Sequence, residues 1–150
     1  GKKGTLVIFS CNHCPFVIAW EERIAKLGQA AQEQGIGVIQ VNSNDPQKAG
    51  DTYEAMQKRA KARGFAFPYV VDATSGVARA FGASRTPEAF LFDAAGKLVY
   101  HGTIDDNYKS AQDVKRTYLQ DAVDAVVGGQ AVPVAETKAV GCGIKFRKSG

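Results

Sequence analysis

A chain of 150 residues, 45% hydrophobic and 23% charged, is the size of one globular domain with enough apolar material for a core, and nothing in it marks a second domain. Most of its +4 charge sits in the first three residues and the terminal KFRKSG, a solvated excess rather than the basic stripe that nucleic acid requires. The longest apolar runs, TLVIF and PYVV, fall far short of the ~20 residues that span a bilayer, and no charged-then-apolar leader opens the chain. The expectation is a soluble cytoplasmic protein without membrane insertion, the periplasm being the alternative if a leader precedes this sequence.

TLVIFS (5–10) is uncharged, β-branched and aromatic, which suits a strand covered on both faces. From Pro15 the period changes. Val17, Trp20, Ile24, Leu27 and Ala31 recur at three and four residues with polar residues between them, an amphipathic helix ending before Gly35. GVIQVNS (37–43) is a second strand, broken by Asn44, Asp45 and Pro46. Tyr53, Met56 and Ala60 mark another helix, with Lys58, Arg59, Lys61 and Arg63 toward its end, where the helix dipole favours cations.

PYVVD (68–72) is a third strand, and SGVARAFG a helical turn. EAFLFD and KLVYHG flank Ala94, Ala95 and Gly96 and read as an antiparallel hairpin. A last helix is expected from about Ala111 to Val127, with Val114, Tyr118, Ala122 and Ala125 on one face, stopped by Gly128 and Gly129. The remainder, 130–150, shows no period and is expected to run over the surface. This order predicts a single domain over 1–150: a three-layer α/β/α sandwich around a central mixed sheet. The first strand follows the first residues almost at once, which leaves a bare sheet edge or a preceding extension as the alternatives.

Three cysteines are too few for a disulfide scaffold, and their odd number leaves one unpaired. Two of them stand in FSCNHCPF, Cys11 at the strand–helix junction and Cys14 in the first helical turn ahead of Pro15. Unpaired amides and the positive end of the helix dipole favour a Cys11 thiolate. Cys11 is therefore expected to be the more exposed, attacking sulfur and Cys14 the resolving one. His13 places a cation or a hydrogen-bond donor beside Cys11, which stabilises the reduced form and makes the couple more oxidising. Two other readings stay open. One is a structural disulfide, which would close only a tiny loop. The other is a metal held by Cys11, Cys14, His13 and Cys142, in which the adjacent His13 and Cys14 fit poorly. The reading adopted has no metal and no cofactor. His101 is expected to be a solvated or packing histidine, and Cys142 a quiet half-buried one.

With FSCNHCPF after the first strand, TPEAFLFD before the hairpin and VGCGIKF in the tail, the chain resembles the thioredoxin-fold superfamily, in particular the bacterial thioredoxin-like proteins grouped with the alkyl hydroperoxide reductase and thiol-specific antioxidant (redoxin) set. The resemblance implies a thioredoxin-like fold, thiol–disulfide exchange with a disulfide-containing protein or peptide and a thiol reductant, and a monomer or weak dimer. It also implies that Thr86-Pro87 is the family's cis-proline site, where backbone beside the proline pairs with an extended substrate chain. Departures are visible: Ser10 replaces the tryptophan before the first cysteine of ordinary thioredoxins, and Thr5 replaces their buried acid. Peroxide reduction is the runner-up. The peroxidatic pattern needs a hydroxyl three residues before its cysteine, where Ile8 and Cys11 stand, although Arg85 and Cys142 could serve as cation and extra resolving thiol. A binding module that senses redox state without turnover is the third reading.

Overall fold

In the computed structural model, which describes residues 2–12, 14–45, 53–63, 67–72 and 74–146, the first apolar run becomes strand β1 (Gly4–Phe9). Because successive strand side chains point to opposite faces, Leu6 and Ile8 enter one core while Val7 and Phe9 enter another. β1 pairs in parallel with β2 (Ile36–Asn42) and antiparallel with β5 (Glu88–Asp93). β3 (Tyr69–Val71) runs parallel to β2, and β6 (Leu98–Gly102) antiparallel to β5, so the mixed sheet has the order β3-β2-β1-β5-β6. β1 is thus central rather than bare, and β3 closes the sheet beside β2.

On the Leu6 and Ile8 face lies α1 (Pro15–Glu33), where Pro15 at the first helical position costs no hydrogen bond. Its buried Val17, Trp20, Ile24, Leu27 and Ala31 follow the expected spacing. α4 (Tyr118–Val127) shares that face through Leu119, Ala122 and Val123. The opposite face carries α3 (Gly76–Phe81), whose Phe81 meets Phe9 and Phe90 edge-on at centroid distances of 5.3 and 5.2 Å. α2 (Tyr53–Arg63) buries Met56. The expected three-layer sandwich is therefore present. Pro46 and the side chains of Tyr53, Arg59 and Arg63, used above to mark elements, lie outside the described residues. No described helix is long and apolar enough to cross a membrane.

Two expectations need correction. The last helix does not begin at Ala111: a 3-10 turn at Ala111–Asp113 gives way to extended backbone at Val114, and α4 starts only at Tyr118. Residues 111–117 have no buried side chain to hold a helix face, and Asp106 captures their backbone instead, accepting the Lys115 amide at 3.0 Å while its own amide donates to the Arg116 carbonyl at 3.2 Å. The buried face of α4 is accordingly Leu119, Ala122, Val123 and Ala125, without Val114.

Nor does the tail merely cross the surface. Thr137 donates from its amide to His101 at 2.9 Å and from its neighbourhood touches Gly102, where φ is +150° and a Cβ would overlap the Thr137 hydroxyl. Farther on, β7 (Cys142–Gly143) pairs antiparallel with β4 (Arg85–Thr86), and Ile144 is buried in the second core. Two-residue strands carry no readable period, which is why the sequence pattern misses them.

Leu119→Ala, at a side chain with no exposure, is expected to lower the unfolding free energy by about 2–5 kcal/mol, whereas Val114→Ala, ahead of α4, changes it by no more than about 0.5 kcal/mol. Urea denaturation of the two variants measures the contrast.

Candidate active site

The site forms where β1 ends. Ser10 continues the strand by one hydrogen bond, its amide donating to the Val41 carbonyl at 2.8 Å, and the chain then turns through Cys11 and Asn12. Asn12 is buried, and its side-chain oxygen accepts from the Tyr69 hydroxyl at 3.0 Å, which ties the turn to β3. Cys14 is the N-cap of α1, in extended conformation just ahead of the helix rather than within its first turn. His13 lies outside the described residues.

Thr86-Pro87 forms the facing wall, and the peptide bond between them is cis, as the resemblance implied. The Thr86 hydroxyl lies 3.4 Å from Cys11 Sγ, and the Cys14 thiol donates to the Thr86 carbonyl at 3.2 Å. One buried threonine therefore contacts both sulfurs. Glu88 holds that threonine in place: 2% exposed, it accepts the Ser84 and Arg85 amides on Oε1 at 2.9 and 3.0 Å and bonds the His101 ring through Oε2. His101 in turn stacks on Phe90 with centroids 4.3 Å apart, so it is a packing histidine that also buttresses the Thr86 loop. The Arg85 side chain is exposed.

Cys142 is not quiet. β7 sets it opposite Thr86, and it packs against the cluster of Cys11, Cys14 and Val17. The approach depends on Gly141, where a Cβ would overlap the Thr86 carbonyl oxygen. This pairing also corrects the expectation that the backbone beside the proline stands open for a substrate chain: the tail already occupies it. All three cysteines are unbonded to one another. Among the described residues no group of three or more His, Cys, Asp or Glu side chains is arranged to hold a metal ion.

The expected difference in exposure between the two sulfurs is also absent, since Cys11 is 5% and Cys14 4% exposed. What separates them is a proton. The Cys11 thiol hydrogen-bonds the Cys14 sulfur, and this, helped by the Cys142 thiol and the Val17 and Cys142 amides, outweighs burial and lowers the Cys14 thiol to about 4. The same bond, followed by burial, pushes the Cys11 thiol up. The pair therefore carries one negative charge, held well below the ordinary thiol range, and the two ionisations belong to both sulfurs jointly. When the proton crosses to Cys14 it finds the Thr86 carbonyl, and the charge left on Cys11 meets the Thr86 hydroxyl and the Cys14 amide.

Sequence reasoning named Cys11, Cys14 and Thr86-Pro87, which the fold brings together. It missed Glu88, although an acid directly after the proline and heading the apolar run AFLF is a legible anomaly. It set Cys142 beside the pair only in the metal and peroxide alternatives and otherwise took it as quiet, although the flanking pair of glycines lets backbone approach backbone there.

The model of the AhpC/TSA family matches residues 1–101. The thiol-disulfide oxidoreductase ResA of Halalkalibacterium halodurans is 29% identical over 97 residues, covering 65% of this chain and 52% of that protein, so the chain spans about half the length of this curated relative. The crystal structure of a hypothetical protein from Sinorhizobium meliloti superposes with a TM-score of 0.91 at 40% identity, over 99% of this chain and 82% of that one. A thioredoxin-like protein solved in its oxidized form gives 0.71 at 18% identity, over 87% and 81%, which shows the fold.

The shared charge sets a pH dependence. Cys14 ionises more readily folded than unfolded, so the reduced form gains stability as pH rises from about 4 to the ordinary thiol value of 9.0, and loses it as pH falls through about 4. Above 9.0 the tighter proton on Cys11 reverses the trend. Unfolding free energies of the reduced protein, less those of the oxidised protein, are expected to peak near that value, and Cys11→Ala raises the pH at which ultraviolet absorbance reports a Cys14 thiolate.

Proposed function

The chain belongs to the AhpC/TSA family, and from that membership and the facing sulfurs we propose that it is a thiol–disulfide oxidoreductase working through Cys11 and Cys14. Redox function in general is supported by the family and by the oxidoreductase relative; the specific reaction is our reading. The observation that carries it is the pair of buried sulfurs, two residues apart, that both contact Thr86 beside the cis proline.

Cys11 is the attacking sulfur. Cys14 is the N-cap residue of α1 and its thiol is engaged by the Thr86 carbonyl, whereas Cys11 precedes the helix and faces the Thr86 hydroxyl. Passing the shared proton to Cys14 leaves a thiolate on Cys11. That thiolate attacks one sulfur of a substrate disulfide, the S–S bond breaks, and the other sulfur leaves as a thiolate. Cys14 then loses its proton and attacks Cys11, giving the Cys11–Cys14 disulfide and the second substrate thiolate. A thiol reductant restores the pair. Thr86-Pro87 forms the rim against which the substrate disulfide, in a protein or peptide, is held, and because the tail pairs with β4 this contact is made without adding a strand there. His13, from its place in the sequence, tunes the couple.

A second reading, peroxide reduction, is favoured by one observation. The hydroxyl missing at Ile8 is supplied by Thr86, 3.4 Å from Cys11, where it could donate to a peroxide oxygen.

Insulin reduction driven by a dithiol is the primary assay. Cys11→Ser is expected to lower the rate by about a hundredfold or more, and Cys14→Ser to accumulate a mixed disulfide on Cys11. Hydroperoxide consumption that depends on Cys11, without insulin reduction, would establish the second reading instead. His13→Ala is expected to make the couple less oxidising by on the order of 30 mV, a tenfold change in the exchange constant; an unmoved midpoint removes His13 from the mechanism.

A further inference from the structure

We propose that Cys142 is a third redox thiol of this site: once Cys11 and Cys14 are joined, the Cys142 sulfur attacks Cys14, forming a Cys14–Cys142 disulfide and releasing Cys11. The step builds on the exchange reaction proposed above. One S–S bond breaks and one forms, Cys142 gives up its proton, Cys11 takes one up, and no outside oxidant or reductant enters. Oxidation is moved within the molecule rather than created.

Three independent features of the fold converge on it. First, Thr86 brings the thiols together: the Cys14 thiol meets its carbonyl at 3.2 Å, its hydroxyl lies 3.4 Å from Cys11 Sγ, and Cys142 is its partner in the β4–β7 pair. The apolar cluster of Cys11, Cys14 and Val17 packs Cys142 and Phe16 against itself. Second, the tail is built to hold that contact. The Ile144 amide donates to Ser84 at 2.9 Å, the Lys145 amide to Asn44 Oδ1 at 2.8 Å, and the Asp45 amide returns to the Lys145 carbonyl at 2.7 Å. Gly141 permits backbone-to-backbone approach to Thr86 immediately before the thiol.

Third, the electrostatics of Cys142 change with the oxidation state of its neighbour. In the reduced protein its thiol is pushed up to about 11, by burial first, then by donating to Cys14 and by the charge there, while Lys145 and the Phe16 amide pull the other way. A Cys14 locked in a disulfide carries no charge and no longer draws the Cys142 proton. Burial then opposes Lys145 and Phe16 alone, and Cys142 becomes the better nucleophile at the moment its target appears. The leaving group, Cys11, departs toward the Thr86 hydroxyl and the Cys14 amide. The consequence is a protein whose oxidised form restores the attacking thiol, able to engage a second substrate before any reductant arrives.

Peptide mapping by mass spectrometry after acid quench and alkylation tests the step, on full-length protein oxidised with one equivalent of diamide. In the wild type, the expected result is free, alkylated Cys11 together with a Cys14–Cys142 bond in more than about one tenth of the oxidised chains, the share that follows if the two disulfides lie within tenfold of each other. Cys11→Ser is expected to form the Cys14–Cys142 bond directly. Gly141→Val, which drives the tail away from Thr86, is expected to lower the Cys14–Cys142 share at least about tenfold while leaving the Cys11–Cys14 bond intact; circular dichroism confirms that this variant and Cys11→Ser are folded. If Cys142 alone is alkylated in oxidised wild type and folded Cys11→Ser forms no internal bond, the proposal is overturned. Cys142→Ser separates the two claims: failure of that variant to form the Cys11–Cys14 bond would overturn the exchange reading, whereas its success beside a negative wild-type result would overturn the third-thiol role alone.

Discussion

The site rests on a single buried residue that addresses two sulfurs with different chemistry. Thr86 turns a hydroxyl to Cys11 and a carbonyl to Cys14, the first a donor to a thiolate and the second an acceptor from a thiol. Such a wall distinguishes the sulfurs by proton rather than by exposure. Moving the proton from one to the other changes which hydrogen bonds are made, and the two ionisations belong to the pair rather than to either sulfur. The backbone beyond has to keep Thr86 where it is, and Glu88 does so with three hydrogen bonds that leave neither carboxylate oxygen unsatisfied.

A second line of support runs from the helix side. Trp20 Nε1 donates to Asp105 at 2.9 Å, and Arg23 reaches the other Asp105 oxygen at 2.7 Å as well as the Asn107 and Tyr108 carbonyls. Phe16, two residues after Cys14, packs on Tyr108 with centroids 4.5 Å apart. The first turns of α1, and with them the N-cap cysteine, are thereby fastened to the loop that follows β6. The sulfurs are held from both directions, by a threonine on one wall and by an anchored helix on the other.

How much of this could be read from the residues follows from the range of each interaction. TLVIF, the stripe from Val17 to Ala31 and the EAFLFD–KLVYHG hairpin are local patterns repeated over several residues, and each predicted its element to within a residue or two. The thiol pair was legible for the same reason, since its spacing is local. Val114 deceived because its helical spacing from Tyr118 says nothing of the Asp106 carboxylate that takes the Lys115 amide. Cys142 lay beyond local reasoning: it reaches the cluster of Cys11 and Cys14 from the far end of the chain through a two-residue strand, and only its glycine neighbours hinted that two backbones touch there. The equal burial of Cys11 and Cys14 was out of reach for the same reason, since Cys142 packs against their cluster.

The same tail governs the flank of the sheet. The outer side of β6 is taken at His101, whose amide donates to Ala135 at 3.0 Å and whose carbonyl accepts from Thr137, while the other boundary strand, β3, is only three residues long. Among the described residues neither border offers a long row of open amides and carbonyls on which a neighbouring molecule could add a strand. A redox site that must open its surroundings to exchange partners is thus carried on a scaffold whose described sheet borders give cross-β stacking little to template on, for a reason that lies far from its sulfurs.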